Sequence, residues 1–428
     1  MRHEQIWLAT PSSDRSCNWQ SADPTMSVAM EEVDLIIVGG GMVGMTLAAA
    51  LAEQEMRIVV VERAESSVRH SLGIDCRVSA IVRGGVEALQ GIGAWQHLHS
   101  PSPIMQMRIW DDQHSGGIRF DGSELQGEAD GLLGMMVQNS HLLSALRQVV
   151  LCSAAVELCC PVAVQSLQWQ RHGVVVELSD GRKLHTPLIV AADGGRSWLR
   201  AEASIGVWSH DLQQRAIVAT IKPQRHHQQV AYQRFLPTGP LALLPMDGGL
   251  CSIVWSAESS RADRLMAMDD AGFLQELNRS FGPQLGVITA CGQRAAFPLR
   301  TQLARHFVRP RLALIGDAAH SIHPLAGLGV NLGIRDAMVL AREIVEARRF
   351  AEDYGAMEVL AEYRNQRLPD VLAVMGAMEG LHHLFTSQLP GVALLRAAGL
   401  RMIGNSASIK QLLMRNSTGL ALSIPRSV

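Results

Sequence analysis

Residues 34–63 constrain the fold of this chain more than any other segment, because they have the pattern of a complete β-α-β unit. Four apolar residues, Leu35–Val38, are rich in β-branched side chains, which predicts a strand buried on both faces. The sequence GGGMVG follows, and an Ala- and Leu-rich helix is predicted over residues 42–53. A second apolar run, Ile58–Val61, predicts the next strand. The segment therefore predicts an α/β fold.

The glycine sequence fits G-x-G-x-x-G, placed between a strand and a helix. Gly39 permits the tight turn, Gly41 lets a pyrophosphate approach the backbone, and Gly44 lets the helix pack closely on the strand. The helix N-terminus offers free N–H groups to phosphates. Glu62 lies 18 residues beyond Gly44, where a carboxylate accepts the ribose hydroxyls. This context predicts a dinucleotide site; the alternative is a Gly-rich turn in another α/β protein.

Composition narrows the class of protein. A length of 428 residues suggests two or three domains, or one large α/β domain with an insertion. The net charge of −2 and the 4% aromatic content argue against a nucleic-acid partner. No uninterrupted apolar run reaches 18 residues, so no transmembrane helix is expected. Residues 1–32 lack the apolar core of a signal peptide and are predicted to be a disordered extension.

Cysteine and histidine spacing gives no support for a metal site. The seven cysteines form no C-x-x-C pair, which is typical of free thiols in a reducing compartment and indicates a cytoplasmic location. His320 and His323 have i, i+3 spacing, but no cluster of cysteines or acids accompanies them. Loop packing is therefore the favoured interpretation of these histidines, and no metal is expected.

Strand patterns divide the rest of the chain. Antiparallel strand signals interrupt the first domain twice. Residues 78–89 have helical spacing of apolar residues with an interruption at Gly84-Gly85, and helices are predicted near the C-terminus. The predicted division is 1–32 as the extension, 33–105, 135–201 and 299–365 as the nucleotide-binding domain, 106–134 and 202–298 as an inserted antiparallel substrate domain, and 366–428 as a helical region.

Two further sets of residues follow predicted buried strands. Asp193 begins the sequence D-G-x-x-S-x-x-R, which ends at Arg200 and suits contacts to a nucleotide and its phosphates. The alternative is an ordinary strand-turn-helix junction capped by Asp193. In the other set, Gly316 allows a sharp turn and places Asp317 at the carboxyl end of a parallel strand, where open α/β sheets bind ligands.

Together these three motifs resemble the ordered fingerprints of the class A flavoprotein aromatic hydroxylases. The segments HPLAGLGVNLGIRDA, RVSAI, MMVQN and FLPTGP are similar to those of the ubiquinone-biosynthesis hydroxylases, and most of all to the demethoxyubiquinol hydroxylases. The resemblance covers roughly residues 33–420. It implies an FAD-binding Rossmann-like domain with an inserted antiparallel β-sheet substrate domain and C-terminal helices, the aromatic-hydroxylase type of α/β fold.

The resemblance also assigns residues to the cofactor. The resemblance implies that the glycine loop holds the FAD pyrophosphate and that Glu62 binds the adenosine ribose. It also implies that Asp317 binds the ribityl chain and that Gln138 lies near the adenine. One departure is Leu328, where the family commonly has Gln. The full set of cofactor residues is Gly39, Gly41, Gly44, Glu62, Arg77, Gln138, Asp193, Gly316, Asp317, Pro324, Gly327, Gly329 and Asn331.

The implied activity is ring hydroxylation of a prenylated phenol or quinol in ubiquinone biosynthesis, with NAD(P)H and O2 as co-substrates and a flavin C4a-hydroperoxide as the oxygen donor. No catalytic base stands out, and His320, His323 and Arg77 are only weak candidates. The alternatives are hydroxylation at another ring position in the same pathway, a flavin-dependent reductase or oxidase on the same fold, and a non-catalytic FAD-bound member of a biosynthetic complex.

The C-terminal segment suggests a membrane surface as a partner. No Asp or Glu occurs after Glu379, whereas five basic residues are interleaved with apolar groups, as in amphipathic helices with a basic face. The alternative is a helical pair packed on the FAD domain. We therefore expect peripheral association with the inner face of the cytoplasmic membrane, directly or through partner enzymes of a ubiquinone-biosynthesis complex.

Overall fold

The computed structural model describes residues 30–65, 77–111, 117–125, 130–322, 329–386 and 406–417. The strands are β1 Met30–Glu32, β2 Leu35–Val38, β3 Ile58–Val61, β4 Val78–Val82, β5 Ser102–Ile104, β6 Gln106–Asp111, β7 Gly117–Asp121, β8 Gly134–Gln138, β9 Val156–Cys159, β10 Val164–Gln170, β11 Gly173–Leu178, β12 Lys183–Thr186, β13 Leu188–Ala191, β14 Val207–Pro223, β15 Val230–Leu236, β16 Gly239–Pro245, β17 Cys251–Glu258, β18 Ile288–Cys291, β19 Ala295–Ala304, β20 Val308–Arg309, β21 Leu312–Leu314 and β22 His320–Ser321. The α-helices are α1 Met42–Ala50, α2 Arg83–Gly91, α3 Asn139–Cys152, α4 Trp198–Glu202, α5 Ser259–Ala267, α6 Asp270–Phe281, α7 Gly329–Arg349, α8 Met357–Thr386 and α9 Ala407–Ser417.

A six-stranded sheet in the order β20-β21-β13-β2-β3-β9 forms the centre of the molecule. Its strands are parallel except for β20, which pairs antiparallel with β21 at one edge. Every residue of β2, β3 and β13 is buried, because helices α1, α3 and α7 and a second sheet cover the two faces. This arrangement confirms the predicted α/β class.

The second sheet has the order β1-β12-β11-β10 and packs apolar residues of β11 into the same core as the parallel sheet. Its edge strand β1 runs parallel to β12, with Met30 opposite Lys183. The sequence placed residues 30–32 in the disordered extension, and that limit is wrong. Pairing with a strand more than 150 residues away orders these residues, and such a partner leaves no local signal.

The inserted antiparallel region forms a nine-stranded sheet whose main path is β22-β19-β14-β17-β16-β15-β6-β7, with β18 paired to β14. Helices α5 and α6 cover one face, where Phe273, Leu277 and Phe281 are fully buried against the strands. The predicted limit between residues 298 and 299 falls inside β19, because that strand pairs with β14 from Ala295 to Ala304.

A three-stranded sheet, β4-β8-β5, connects the two regions. Residues 78–89 were predicted to be helical with an interruption at Gly84-Gly85, but residues 78–82 form β4, since they pair antiparallel with β8, and α2 begins at Arg83 and includes both glycines. An apolar cluster, termed the apolar wall, joins this sheet to the second face of the nine-stranded sheet. It consists of Ala80, Ile104, Met136, Ala231, Ala242, Leu244 and Met246.

Helix α8 belongs to the central core. It packs on α7, and the Tyr363 hydroxyl donates a 2.8 Å hydrogen bond to the Leu314 carbonyl of β21. The helix begins at Met357 and continues through Pro369 to Thr386, so the predicted limit between residues 365 and 366 lies within it. Within the described ranges, none of the helices is long and apolar enough to cross a membrane.

Candidate functional site

The turn between β2 and α1 has its predicted tight geometry. Gly39 has φ = +114°, and a Cβ at this position would lie 2.3 Å from the Ala192 carbonyl oxygen. A Cβ on Gly44 would lie 2.0 Å from the Gly39 carbonyl oxygen. Both glycines are therefore required by close backbone approach, the first to β13 and the second between the helix and its own turn.

Gly41 is different, because a Cβ there would have no atom within 4 Å. It is the N-cap of α1, it is exposed, and in the described part of the chain no side chain caps this helix end. The first N–H groups of α1 therefore face open space, which is the arrangement that binds phosphates. The requirement for glycine at position 41 does not come from packing within the protein.

Glu62 lies directly after β3 and closes the glycine turn from the side. Its Oε2 accepts a hydrogen bond from the Gly40 N–H at 2.8 Å, and its Oε1 accepts one from the Ala64 N–H at 2.8 Å. Two backbone donors thus fix the carboxylate beside the loop. Each carboxylate oxygen keeps a further lone pair for a ligand hydroxyl.

Asp193 and Arg200 stabilise the loop after β13. Asp193 Oδ2 accepts from the Leu199 N–H at 3.1 Å, whereas its Oδ1 is buried with no hydrogen-bond partner among the described residues. Arg200 is 7% exposed and donates to the Ala318 carbonyl at 2.8 Å and to the Gly195 carbonyl at 2.9 Å. Burial lowers the pKa of Arg200, and Asp193 opposes that shift. Arg200 therefore links two loops, a role different from the phosphate contact suggested by its motif.

Asp317 follows β21 in the turn that begins at Gly316, whose φ is +59°. Its side chain is accessible from the cleft but is surrounded by protein. Burial raises the pKa of Asp317; His320 acts to lower it and Asp336 acts to raise it. Asp317 is exposed towards the cleft, so its carboxylate oxygens are available to accept a hydrogen bond from a ligand hydroxyl.

A buried charge network supports this turn from behind. Asp336 is 0% exposed; its Oδ2 accepts from the Gly316 N–H at 2.9 Å and lies 2.6 Å from His320 Nε2, and its Oδ1 accepts from Arg367 Nε at 2.7 Å. Burial acts to raise the pKa of Asp336, but His320 and Arg367 outweigh it and hold the pKa below its usual range. Arg367 also bonds to Asp370.

This network places His320 in a structural position. The imidazole is 2% exposed, and Nε2 is occupied by Asp336, so we do not assign it the weak catalytic role considered from the sequence. Nor do the described residues contain a group of three or more His, Cys, Asp or Glu side chains suited to a metal ion. His323 lies outside the described residues.

Asn331 is 7% exposed in the first turn of α7 and binds β4 from the side. Its Nδ2 donates to the Ala80 carbonyl at 2.7 Å, and its Oδ1 accepts from the Val82 N–H at 2.9 Å. Gly85 permits this approach, because a Cβ there would lie 3.2 Å from Asn331 Oδ1. The contact fixes the start of α7 against the sheet that carries part of the apolar wall.

The remaining predicted residues lie around the same region or outside the described chain. Gly329 begins α7, and a Cβ there would have no atom within 4 Å. Gln138 ends β8 opposite Val78, the residue after Arg77. The Arg77 carbonyl accepts from the Asn139 N–H at 3.0 Å. The residues outside the described ranges are Pro324, Gly327 and Leu328.

The decisive geometry is that four loops leave the carboxyl ends of four adjacent parallel strands, in the order β21, β13, β2 and β3. They carry Asp317, Asp193, the glycine turn and Glu62. These residues fit an extended dinucleotide, because they combine an uncapped helix N-terminus beside Gly41, an unpartnered Asp193 oxygen and an exposed Asp317 carboxylate.

Sequence reasoning missed two residues that support the site, Asp336 and Arg367. The available signal was the charged pair Arg335-Asp336 between apolar residues of the helix, since Ile334, Ala337 and Met338 are all buried. A charge in such a stretch requires a partner. The partner itself could not be read from the sequence, because Arg367 lies on another helix, 31 residues away.

Comparison with known proteins agrees with this geometry. Residues 32–377 match the family described as FAD binding domain. Ubiquinone hydroxylase UbiL of Rhodospirillum rubrum is 39% identical over 397 residues, which cover 92% of each protein. The 3-demethoxyubiquinol 3-hydroxylase of Escherichia coli is 33% identical, over 91% of this chain and 99% of the relative.

Solved structures share the fold at lower identity. p-Nitrophenol 4-monooxygenase PnpA from Pseudomonas putida DLL-E4 superimposes with a TM-score of 0.75 at 19% identity, over 91% of this chain and 99% of PnpA. PqsL from Pseudomonas aeruginosa gives a TM-score of 0.74 at 22% identity, over 87% of this chain and 100% of PqsL. With the family match and the two relatives, these observations show that the chain belongs to the FAD-binding flavoprotein monooxygenases, in the group that contains the ubiquinone-biosynthesis hydroxylases.

Proposed function

We propose that this protein hydroxylates the ring of a prenylated phenol or quinol in ubiquinone biosynthesis, using FAD as cofactor and NAD(P)H and O2 as co-substrates. The observation that carries the proposal is the convergence of the glycine turn, Glu62, Asp193 and Asp317 at the carboxyl ends of adjacent parallel strands. The relatives named as ubiquinone hydroxylase and 3-demethoxyubiquinol 3-hydroxylase support the substrate class.

The described residues suit three tasks in cofactor binding. The open helix N-terminus at Gly41 receives the pyrophosphate, Glu62 accepts hydrogen bonds from the adenosine ribose, and Asp317 accepts one from the ribityl chain. Bound FAD supplies the redox chemistry that couples nicotinamide oxidation to oxygen activation. Gly329 and Asn331, at the start of α7, are the residues that would approach the ring system.

The protein also has to exclude water from the reacting groups, and the apolar wall is suited to that. Its residues come from β4, β5 and β8 on one side and from β15, β16 and Met246, directly after β16, on the other, and all are buried. Asn331 ties the start of α7 to Ala80 in this wall. An apolar boundary next to the ring system limits side reactions with water and accommodates an apolar prenylated substrate.

An oxygen-labelling experiment tests the function. FAD-loaded protein is incubated with a prenylated phenol or quinol, NADH or NADPH, and 18O2, and the product is analysed by mass spectrometry. We expect one labelled oxygen atom in the ring. Nicotinamide oxidation without label would indicate a reductase or oxidase on the same fold, and the absence of any turnover would favour a non-catalytic, FAD-bound member of a complex.

The same product identifies the ring position, which the comparisons leave open because the relatives differ in their names. Fragmentation of the labelled product locates the new hydroxyl group. Parallel reactions with NADH and NADPH show which nicotinamide is preferred, and substrates with shorter and longer tails show how much prenyl chain the protein binds.

We further propose cytoplasmic, peripheral association with the inner face of the cytoplasmic membrane, directly or through partner enzymes. In α9, Met414 is 2% exposed and faces the protein, whereas Leu412 is 61% and Leu413 is 39% exposed. Lys410 is not part of a free basic face, because its Nζ lies 3.0 Å from Glu124 Oε2. The support for lipid contact therefore comes from the exposed leucine pair and from the absence of acidic residues after Glu379.

A further inference from the structure

A basic recess lies in the nine-stranded sheet region, formed by β6, β7, β15 and the segments that precede β15 and follow α6. It has a volume of about 590 Å³ and opens to solvent. Its lining includes no Asp or Glu. The side chains that define it chemically are Arg108, Arg119, Arg225, His226, Gln228 and Tyr232.

The recess is separate from the cofactor site. Tyr232 and Val230 line it, and both belong to the apolar cluster on the face covered by α6, together with Phe281. Ala231, between them in the strand, belongs instead to the apolar wall on the opposite face. Because successive strand residues point to opposite faces, the sheet itself stands between the recess and the wall.

Two arginines occupy directly opposed positions at this recess. Arg108 of β6 is the register partner of Arg119 of β7, and Tyr232 of β15 is the partner of Arg108 on its other side. The Arg108 guanidinium carbon lies 6.0 Å from the centre of the Tyr232 ring. Like charges directly across an antiparallel pair are unfavourable, so this position costs stability unless an anion compensates it.

Carboxylates of the protein neutralise only part of the positive charge at the recess. Arg119 pairs with Asp121 at 2.5 Å, but neither Arg108 nor Arg225 has an ion pair with a carboxylate among the described residues. His226 Nδ1 accepts from the Gln228 N–H at 2.9 Å, which leaves its Nε2 to carry a proton as a donor. Guanidinium, imidazole and amide groups that can donate hydrogen bonds thus surround the recess, and no carboxylate lines it.

We propose that this recess is a binding site for a phosphate-bearing anion. Several guanidinium groups around one cavity match the planar, bidentate recognition of phosphate, and the volume admits a group larger than inorganic phosphate. The phosphate belongs either to a small soluble molecule or to a lipid headgroup. The contact between Lys410 and Glu124 favours the lipid source. It holds α9, which carries the exposed leucine pair, close to the end of β7 at Asp121, and β7 lines the recess.

Calorimetric titration of the FAD-saturated protein with pyrophosphate at low ionic strength tests the site. Saturation with FAD occupies the glycine turn, so that pyrophosphate is not measured there. We expect binding that weakens at least about tenfold in Arg108→Gln and in Arg225→Gln, since each removes a charge-assisted hydrogen bond. Full flavin content and an unchanged melting temperature confirm that the variants are folded.

Arg300→Gln is the matched control. Arg300 is exposed on β19, pairs with Asp211, and is separated from β6 by the strands β14, β17, β16 and β15. This substitution changes the net charge by the same amount, and we expect pyrophosphate affinity within about twofold of the original protein. Equal weakening in Arg300→Gln and Arg108→Gln would mean non-specific charge attraction and would overturn the proposal.

Vesicles distinguish the two sources of phosphate. The same proteins are sedimented with vesicles of phosphatidylcholine alone and with vesicles that also contain phosphatidic acid. Weaker sedimentation of Arg108→Gln than of Arg300→Gln with phosphatidic acid supports a lipid headgroup. Pyrophosphate binding without that difference supports a soluble phosphate ligand. If neither probe distinguishes the two variants, the recess is not a phosphate site.

Discussion

The Asp336 carboxylate accepts a 2.9 Å hydrogen bond from the Gly316 N–H, and this contact joins the middle of α7 to the turn after β21. The same carboxylate is fully buried between His320 and Arg367. One buried charge thus fixes the turn that presents Asp317 to the cleft. Among the described residues, the hydrogen bonds and ion pairs of this network do not involve the glycine loop, so the turn at Gly316 is supported independently of that loop.

Asp336→Asn is expected to lower the free energy of unfolding by roughly 3 kcal/mol, because His320 and Arg367 lose the buried carboxylate between them and Arg367 keeps only Asp370 as an ion-pair partner. Asn keeps the size of the side chain, so the loss comes from charge and hydrogen bonding. Urea denaturation of the FAD-stripped protein measures it. Glu362→Gln, at an exposed position on α8, is the control and should change stability by less than about 0.5 kcal/mol. A loss below 1 kcal/mol in Asp336→Asn would contradict the role of the network.

The glycine turn was predictable and this network was not, for a physical reason. Gly39 and Gly44 are fixed by backbone approaches within one β-α unit, so their spacing in the sequence reports the geometry directly. Asp336 and Arg367 pair between two helices, and nothing in either local sequence specifies the partner. For the same reason Arg200 could be predicted as part of a site, but not its carbonyl acceptors on two loops.

The errors in the predicted fold have a similar origin. Residues 78–82 are compatible with either a helix or a strand, and their antiparallel pairing with β8 decides for the strand. Helix α8 crosses the predicted limit of the C-terminal region because Tyr363 and Arg367 attach it to β21 and α7. Where the apolar pattern of a segment is long, the local sequence determines whether it forms a helix or a strand. Where the pattern is short, pairing with a distant segment determines it.

Two glycine substitutions separate cofactor binding from folding. Gly41→Ala places a methyl group in open space, and the φ of −76° at this position suits alanine, so the FAD-stripped protein should keep its stability. The methyl group obstructs the approach of the pyrophosphate, and FAD affinity should fall at least about tenfold. Fluorescence titration of released and rebound FAD measures this effect.

Gly44→Ala is the matched substitution in the same helix. Its Cβ would lie 2.0 Å from the Gly39 carbonyl oxygen, so the backbone has to move, and stability should fall by about 1–3 kcal/mol even without cofactor. Urea unfolding of the two FAD-stripped variants compares them directly. Equal stability of Gly41→Ala and Gly44→Ala would show that the two glycines do not have different tasks.

Asp317→Asn should have opposite effects on the stripped and the loaded protein. Burial raises the pKa of Asp317 in the folded state. At high pH the ionised carboxylate is therefore less stable in the folded protein than in the unfolded chain, and this difference destabilises the fold. This destabilisation is complete above the folded-state pKa and disappears as the pH falls through it towards the unfolded value. The stripped Asp317→Asn protein should therefore melt at a higher temperature than the original at pH 8, and the difference should shrink as the pH is lowered.

FAD binding provides the second measurement on the same variant. The asparagine side chain accepts a hydrogen bond from a ribityl hydroxyl less strongly than a carboxylate does, so we expect about a tenfold loss of FAD affinity. A stripped variant that melts at the same or a lower temperature than the original at pH 8 would argue against strain at Asp317. An unchanged FAD dissociation constant would argue against its contact with the cofactor.

FAD should be held by non-covalent contacts alone, through the glycine turn, Glu62 and Asp317. Denaturation with acid or guanidinium should then release all of the flavin absorbance into the filtrate of a size-selective membrane. Flavin that stays with the denatured chain would require a covalent bond and would overturn this expectation. The released cofactor also identifies itself by mass, which distinguishes FAD from FMN.

The exposed leucine pair of α9 makes the membrane proposal testable at single residues. Replacement of Leu412 and Leu413 by Gln removes apolar surface without changing charge, whereas Met414 remains packed inside. Burying two leucine side chains in the interface contributes about 1.5–3 kcal/mol each when complete, so vesicle affinity should fall at least tenfold. Removal of residues 390–428 should weaken sedimentation with anionic vesicles at least as much.

The control is Leu372→Gln, at a 48% exposed position on α8, which should sediment like the original protein. If the full-length protein stays in the supernatant with anionic vesicles at low salt, direct lipid contact is wrong and membrane association has to proceed through a partner.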